Sequence, residues 1–317
     1  MLKALVTGIN GQDGIFLSRL LIEKGYQVLG LSQHKERSAL LDNSINYFSI
    51  DIRDTESISR LCVQEKPDEF YNLAGISSVA KSFSDPKVST DTNFNAVVNL
   101  LENLEKIGVL KDLRFFQASS SEMFGIASSE PQDERTQFQP ISPYAKAKYE
   151  AHKVAVEFRD KGFFLSCGIL YNHESILRPV TFVTRKITST VAAIKLGRLS
   201  KLPIGNIEVE RDWGFAGDYV SAMFKIVNHN IPDDFVISSG VVHSVRDILE
   251  IAFDEAGIDG MESFLEIDQS LIRPKEVNRL LGNSTKAKTS LGWEPKKTFE
   301  EMIREMVRHD ISLIKTR

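Results

Sequence analysis

The chain is expected to fold as an α/β protein, a doubly wound parallel sheet with helices on both faces and a smaller C-terminal domain interleaved with it. Three observations lead there. Short apolar runs alternate with stretches of helical periodicity through the first half of the chain. The first of those runs breaks directly into glycines spaced G-x-x-G-x-x-G. After about Leu170 the alternation loosens into two long connections, 172–179 and 201–212.

Taken in order, residues 2–7 form an apolar run that stops at Gly8 and read as a buried strand. Phe16, Leu17, Leu20 and Leu21 then fall at helical spacing, with Gly25 as the stop. Residues 27–31 are a second strand and 47–50 a short third. Residues 70–74 and 113–118 read as further buried strands, separated by a helix over 92–106. Ser142 and Pro143 are a good N-cap and first residue for a helix reaching about Lys161. Strands over 163–170 and 235–239 complete the pattern. Such alternation implies crossover connections and a parallel sheet.

Composition sets outer limits. Of 317 residues, 42% are hydrophobic and 26% charged, which excludes a disordered chain, a collagen-like repeat and a disulfide-stapled miniprotein. No apolar run approaches the ~18 residues that span a bilayer. The N-terminus reaches Gly8 too soon for the apolar part of a signal peptide, so a cytoplasmic location is expected. With 39 basic against 43 acidic residues, no nucleic-acid or membrane surface is expected. Cys62 and Cys167 are isolated, and the six histidines are not spaced as a ligand set, so no metal is expected.

The glycine turn, Thr7-Gly8-Ile9-Asn10-Gly11-Gln12-Asp13-Gly14, carries the first chemistry. Gly8 allows a tight turn, Gly11 lets the backbone approach a pyrophosphate, and Gly14 lets the helix pack closely on the sheet. The helix start then offers free N–H groups to the phosphates. The expected division is therefore a Rossmann-type dinucleotide-binding domain over 1–171, joined by late strands from about 215–240. Residues 172–317 should mainly bind substrate. NAD binders usually place an acid after the second strand, and NADP binders place basic residues there. Here Ser32-Gln33-His34-Lys35-Glu36-Arg37 follows, with no acid at the strand end. Lys35 and Arg37 are candidates for a 2′-phosphate, which favours NADP over NAD. Asp51 is placed to meet the adenine.

Tyr144 and Lys148 lie one helical turn apart on one face. A phenol of pKa near ~10 is a poor base at neutral pH, and an adjacent ammonium and a nicotinamide cation would lower it. The strand over 114–118 leads into Ser119-Ser120-Ser121-Glu122. A hydroxyl and a carboxylate thus stand at the carboxyl end of a strand, where ligands bind in such sheets.

These pieces together resemble the extended short-chain dehydrogenase/reductase family and, within it, the GDP-mannose 4,6-dehydratases. The resemblance runs nearly end to end, through T-G-I-N-G-Q-D-G at 7–14, Q-A-S-S-S-E-M-F-G at 117–125 and S-P-Y-A-K-A-K at 142–148. It continues through N-H-E-S at 172–175, F-V-T-R-K-I at 182–187, R-D-W-G at 211–214 and R-P-K-E-V at 273–277. It implies a catalytic set of Ser120, Glu122 and Tyr144, with Lys148 supporting the tyrosine. It puts Asn10, Gln12, Asp13, Ile52, Leu73, Ala74, Ser77, Asn172, His173 and Arg178 at the cofactor, beside Tyr144 and Lys148. Ser77, Ser120, Glu122, Tyr144, Asn172, Val183, Lys186, Gly205, Asn206, Arg211, Arg273 and Glu276 would hold the GDP-sugar, the two arginines suiting its diphosphate. A homodimer or homotetramer is also implied, pairing through the helices over 92–106 and 143–161, with Tyr149, His152 and Phe158 offering exposed contacts.

The implied reaction is an internal redox dehydration of GDP-mannose. Tyr144 removes the C4 hydroxyl proton and Ser120 holds the developing keto oxygen. Glu122 takes the C5 proton and returns it to the departing C6 hydroxyl, a double duty that works best for a partly desolvated carboxyl. The chain departs from the family pattern in four places. Ser120 stands for a threonine, His34-Lys35 for two arginines, Ile76 for a glutamine and Asn278 for an aspartate. Alternatives on the same scaffold are a GDP-heptose 4,6-dehydratase and a 4-keto nucleotide-sugar reductase or epimerase. The reductase and the epimerase do not need Glu122. A noncatalytic dinucleotide sensor would not need Tyr144 or Lys148.

Overall fold

The computed structural model describes residues 1–272 and 277–316. The chain opens with β1 (Lys3–Thr7), α1 (Gln12–Glu23), β2 (Gln27–Ser32), β3 (Asn46–Ser49), α2 (Thr55–Glu65) and β4 (Glu69–Asn72). It continues with α3 (Val79–Ser84), α4 (Pro86–Thr90), α5 (Ala96–Lys106), β5 (Arg114–Ser120), α6 (Pro143–Asp160) and β6 (Leu165–Leu170). Then come β7 (Asn172–Glu174), α7 (Val183–Lys195), β8 (Leu202–Ile204), β9 (Glu210–Phe215), α8 (Ala216–Val227) and β10 (Asp234–Ile237). The last part holds β11 (Val242–Ser244), α9 (Val245–Ala256), β12 (Leu265–Ile267), β13 (Arg279–Leu280), α10 (Thr285–Leu291) and α11 (Phe299–Lys315).

Seven strands form one parallel sheet in the order β10-β6-β5-β4-β1-β2-β3. The chain builds outward from β1 to β3, then returns to the other side of β1 for β4. That reversal leaves a crevice beyond the carboxyl ends of β1 and β4, the place where such sheets bind ligands. Successive strand residues face opposite cores. Ala4, Val6, Tyr71 and Phe116 point to a cluster shared with α1 and α8. Leu5, Phe70 and Phe115 point to one shared with α2, α5 and α6. Burial on both faces explains why these strands read as unbroken apolar runs.

A third cluster, built from α7, α9 and α11 around Trp213, forms the core of the smaller part. Its sheet joins β11, β9 and β13, with β7 pairing β9, while β12 pairs β8. Between β9 and β11 the chain crosses back, laying α8 on the main sheet and β10 at its edge. Among the described residues no helix is long and apolar enough to cross a membrane.

Several elements differ from the sequence expectation. The connections over 172–179 and 201–212 contain β7, β8 and the start of β9, strands too short to show a period of two. The helix expected from Thr92 begins with a π-type turn over Asp91–Asn95 before α5. His152 and Phe158 are buried rather than exposed, because α6 lies directly on the sheet through core-facing residues such as Ala151 and Ala155.

Candidate active site

A cavity of about 810 Å³ opens at the switch point and runs from the end of β2, past the glycine turn, to the mouth of the smaller part. Its floor is the turn after β1. Gly8 has φ +70°, and a Cβ there would lie 3.1 Å from the Ala74 backbone. The close approach is held by Thr7, whose Oγ1 accepts from the N–H groups of Leu73 and Ala74 at 3.0 Å and donates to Asn72 at 2.9 Å. A Cβ on Gly14 would come within 2.5 Å of the Gly8 carbonyl, so only glycine lets α1 start this near β1. No side chain caps α1 at Gly11, which leaves its first N–H groups to a ligand. These features fit a dinucleotide pyrophosphate.

Asp13 and Gln12 tie this turn to the strand β7 across the cavity. His173 Nε2 lies 2.8 Å from the Asp13 carboxylate, Gln12 donates to the His173 carbonyl at 3.0 Å, and Ser175 donates to Gln12 at 2.7 Å. Burial alone would raise the Asp13 carboxyl, but His173 and Arg178 hold it below its ordinary value. Burial would likewise favour a neutral His173, yet Asp13 raises its pKa. Arg178 stacks 3.7 Å above the Phe182 ring and its Nε lies 3.1 Å from Glu174, a carboxylate that also accepts from Thr184 at 2.6 Å.

The end of the cavity beside β2 departs from the sequence reading. Lys35 is exposed and Arg37 turns away, donating to the carbonyls of Leu41 and Asp42, and neither lines the cavity. The reason is Asn10, which donates to the Glu36 carbonyl at 3.1 Å and accepts from the Ser38 N–H at 3.0 Å. It folds the loop so that Gln33 and His34 face inward. Asp51 and Ile52 do line this end, with Asp51 paired to Arg53 at 2.7 Å.

Beyond the carboxyl end of β5 the cavity gathers Ser120, Glu122, Tyr144 and Lys148 in one place. Ser142 caps α6 by accepting from the Ala145 N–H at 3.0 Å, with Pro143 in the first turn, and so aims Tyr144 and Lys148 inward. The Ser120 hydroxyl hydrogen-bonds the Tyr144 phenol and accepts from the Glu122 N–H at 3.3 Å. Burial pushes the Tyr144 phenol up to about 12, the Ser120 bond opposing. Burial also pushes the Lys148 ammonium down to about 8. Arg178 also opposes the rise at Tyr144, and the lowering expected from Lys148 is not found, so Tyr144 is protonated at neutral pH. Glu122 is half-buried.

Ser77, Leu73, Ala74, Asn172, Val183, Lys186, Gly205, Asn206 and Arg211 all line the same cavity. Burial lowers the Lys186 ammonium from its ordinary value. Arg211 and Trp213 share one face of β9, and Trp213 pairs in register with Asn172. Arg273 and Glu276 lie outside the described residues. Sequence reasoning missed Arg53, Trp213 and Asn93. Asn93 accepts from the Ile76 N–H and donates to its carbonyl, both at 3.1 Å, and so fixes the loop that carries Ile76 and Ser77 into the cavity. The helix pattern around Asn93 gave no hint of the π-type turn that presents it.

The sequence profile described as GDP-mannose 4,6 dehydratase matches residues 5–306. The chain is 41% identical to GDP-mannose 4,6 dehydratase 1 of Arabidopsis thaliana, over 98% of this chain and 90% of that protein. It is 37% identical to the GDP-mannose 4,6 dehydratase of Homo sapiens, over 99% and 92%. Among solved structures, the UDP-glucose 4-epimerase of Thermotoga maritima with UDP-glucose superposes with a TM-score of 0.87 at 26% identity, covering 99% of this chain and 100% of that one. RMD from Pseudomonas aeruginosa, complexed with NADPH, superposes with a TM-score of 0.83 at 25% identity, over 99% and 100%. With a family match across nearly its whole length and a cavity that joins a dinucleotide turn to a Ser-Glu-Tyr-Lys set, the chain belongs to the GDP-mannose 4,6-dehydratase family.

Proposed function

We propose that this chain converts GDP-mannose to GDP-4-keto-6-deoxymannose, with NADP as its dinucleotide. The observation that carries the reading is the position of Glu122. The turn after β5 brings a carboxylate into the same cavity as the Ser120–Tyr144 pair, so a second proton acceptor serves the same bound sugar.

A bound nicotinamide dinucleotide would supply the acceptor of the C4 hydride and later the donor of that hydride to C6, where the C–O bond has broken. The chain's own residues move the protons. Tyr144 takes the proton of the C4 hydroxyl once nearby positive charge offsets the desolvation that holds its phenol at about 12. Ser120 donates to the forming C4 carbonyl oxygen. That carbonyl acidifies C5–H, and Glu122 removes the proton and returns it to the C6 hydroxyl, which leaves as water. C5 regains a proton, for which Tyr144 holds the one taken from O4, so water is the only net loss. Arg211 and Lys186 suit the diphosphate, and Asn172 and Asn206 suit the nucleotide-sugar hydroxyls.

For the cofactor, the support is that Gln33 and His34, and no acid, follow β2 among the cavity-lining residues. Titration of the protein with both dinucleotides should give tighter binding of NADP; equal affinities would overturn that part. The dehydration itself is tested by Glu122→Gln. Glutamine keeps the size and cannot take the C5 proton, and losing a positioned acid/base typically costs ~10²–10⁴-fold. Mixed with GDP-mannose, the variant should accumulate reduced cofactor and 4-keto hexose and release little 6-deoxy product. Near-normal turnover would move the reading to a reductase or epimerase.

A further inference from the structure

Beneath the reactive groups, three strands and α6 enclose a polar cluster for which the dehydration has assigned no task. His152 lies one turn past Lys148 and two past Tyr144 on α6, and is 5% exposed. Its Nδ1 is 3.0 Å from the Ser119 hydroxyl on β5, and its Nε2 faces the Asp234 carboxylate of β10 at 3.6 Å. Arg159, also on α6, donates to both oxygens of that carboxylate at 2.7 and 3.0 Å, so Asp234 already has its cation. The Cys167 thiol of β6 hydrogen-bonds Asp234 and Ser119. The Phe138 ring closes the cluster, edge-on to the imidazole at 5.3 Å.

These neighbours decide which form the imidazole takes. Burial disfavours the imidazolium, and the charges of Arg159 and Lys148 add to that, while Asp234 opposes them; the balance falls below the ordinary histidine value. A neutral ring with its proton on Nε2 points that proton at Asp234 and leaves Nδ1 to accept the Ser119 O–H. Ser119 immediately precedes Ser120, whose hydroxyl bonds the Tyr144 phenol. The His152–Ser119 bond thus ties the helix bearing Tyr144 and Lys148 to the strand end bearing Ser120 and Glu122.

We propose that His152 is a positioning residue for the dehydration, holding α6 against β5 through Ser119 and against β10 through Asp234 so that the Tyr144 phenol and Ser120 hydroxyl stay aligned on the sugar. The inference rests on Tyr144 and Ser120 being the reactive groups. Misplacement of such groups by about 1 Å costs up to ~10²-fold in rate.

His152→Phe keeps the bulk and loses both polar contacts, whereas His152→Gln offers an amide oxygen to Ser119 and an amide N–H to Asp234. His152→Phe should lower kcat about 10- to 100-fold, with KM for GDP-mannose and Kd for NADP within about 3-fold of wild type. His152→Gln should recover most of the loss. Imidazole ¹⁵N shifts of the wild-type protein should report a neutral Nε2–H ring at about pH 7.5. The proposal is overturned by an imidazolium at neutral pH or by a normal kcat in His152→Phe. It is equally overturned if kcat and NADP affinity fall together without rescue by glutamine. Tyr144→Phe, run beside these, separates the two readings. If it keeps turnover, the assignment of the reactive groups fails; if it is inactive while His152→Phe is normal, only the positioning role fails.

Discussion

Replacing Gly14 by alanine probes the dinucleotide turn where its geometry is tightest. The added Cβ would stand 2.5 Å from the Gly8 carbonyl oxygen, 2.6 Å from Ile9 Cα and 2.7 Å from the Ile9 carbonyl oxygen. All three are backbone atoms, so no side chain can swing aside. Ordinary contact begins at 3.4 Å, and 3.4 − 2.5 leaves the turn and α1 to separate by 0.9 Å. Overpacking of this kind costs about 1–3 kcal/mol, against which alanine's helix preference returns at most about 1 kcal/mol. A net loss of up to roughly 2 kcal/mol in stability is expected when the full helix preference is returned. The loss in NADP affinity should be larger than 10-fold, because the N–H groups that face the pyrophosphate move with the helix. Fluorescence titration with NADPH and a thermal melt read the two effects separately. Gly25→Ala is the control. It has φ +80° but nothing within 4 Å of its Cβ, so it should lose a little stability and no affinity. NADPH affinity within 2-fold of wild type in Gly14→Ala would refute the turn as the pyrophosphate site.

Asp310→Ala should destabilise the chain by about 3–5 kcal/mol, because it strands the buried Arg185 guanidinium that α7 sets against α11 at 3.0 Å. GDP-mannose affinity should fall with it, since Arg185 also holds the carbonyls of Ile176 and Arg178 beside the cavity. Thermal melts and a GDP titration check both. The Asp13–His173 pair predicts a pH window. His173 is raised, so its contribution is full below about pH 6.5 and lost as pH climbs through the raised value. Asp13 is lowered, so its contribution is full above about pH 4 and lost as pH drops through the lowered value. The Tm difference between wild type and His173→Gln should therefore be widest between about pH 4 and 6.5 and narrow on either side. Light scattering at micromolar concentration should find a species at least twice the 35.6 kDa chain mass. A monomer alone would refute the expected helix pairing.

The parts of the fold that sequence reasoning reached are those with one-dimensional signals. β1, β2, β4, β5 and β6 are buried on both faces and appear as apolar runs, and the glycines at 8 and 14 mark a turn whose backbone leaves no place for a side chain. Ser120 and Glu122 were legible because they stand at and just past the end of a strand, and Tyr144 and Lys148 because a helix capped by Ser142 starts directly before them. What escaped depends on distant partners. Lys35 and Arg37 looked like phosphate ligands by sign alone, but Asn10, more than twenty residues upstream, sets where that loop points. His152 read as surface because nothing nearby in sequence satisfies it; its partners Ser119 and Asp234 arrive on other strands. Trp213 reached the cavity through the pairing of β9 with β7, a register that three-residue strands do not announce.

One product decides between internal dehydration and the alternatives. The purified protein, supplied with NADP and GDP-mannose, should yield by mass spectrometry a nucleotide sugar lighter by one water, with no net change in the cofactor's oxidation state. A nucleotide sugar of unchanged mass, or one lighter by two hydrogens with stoichiometric reduced cofactor, would contradict the internal dehydration.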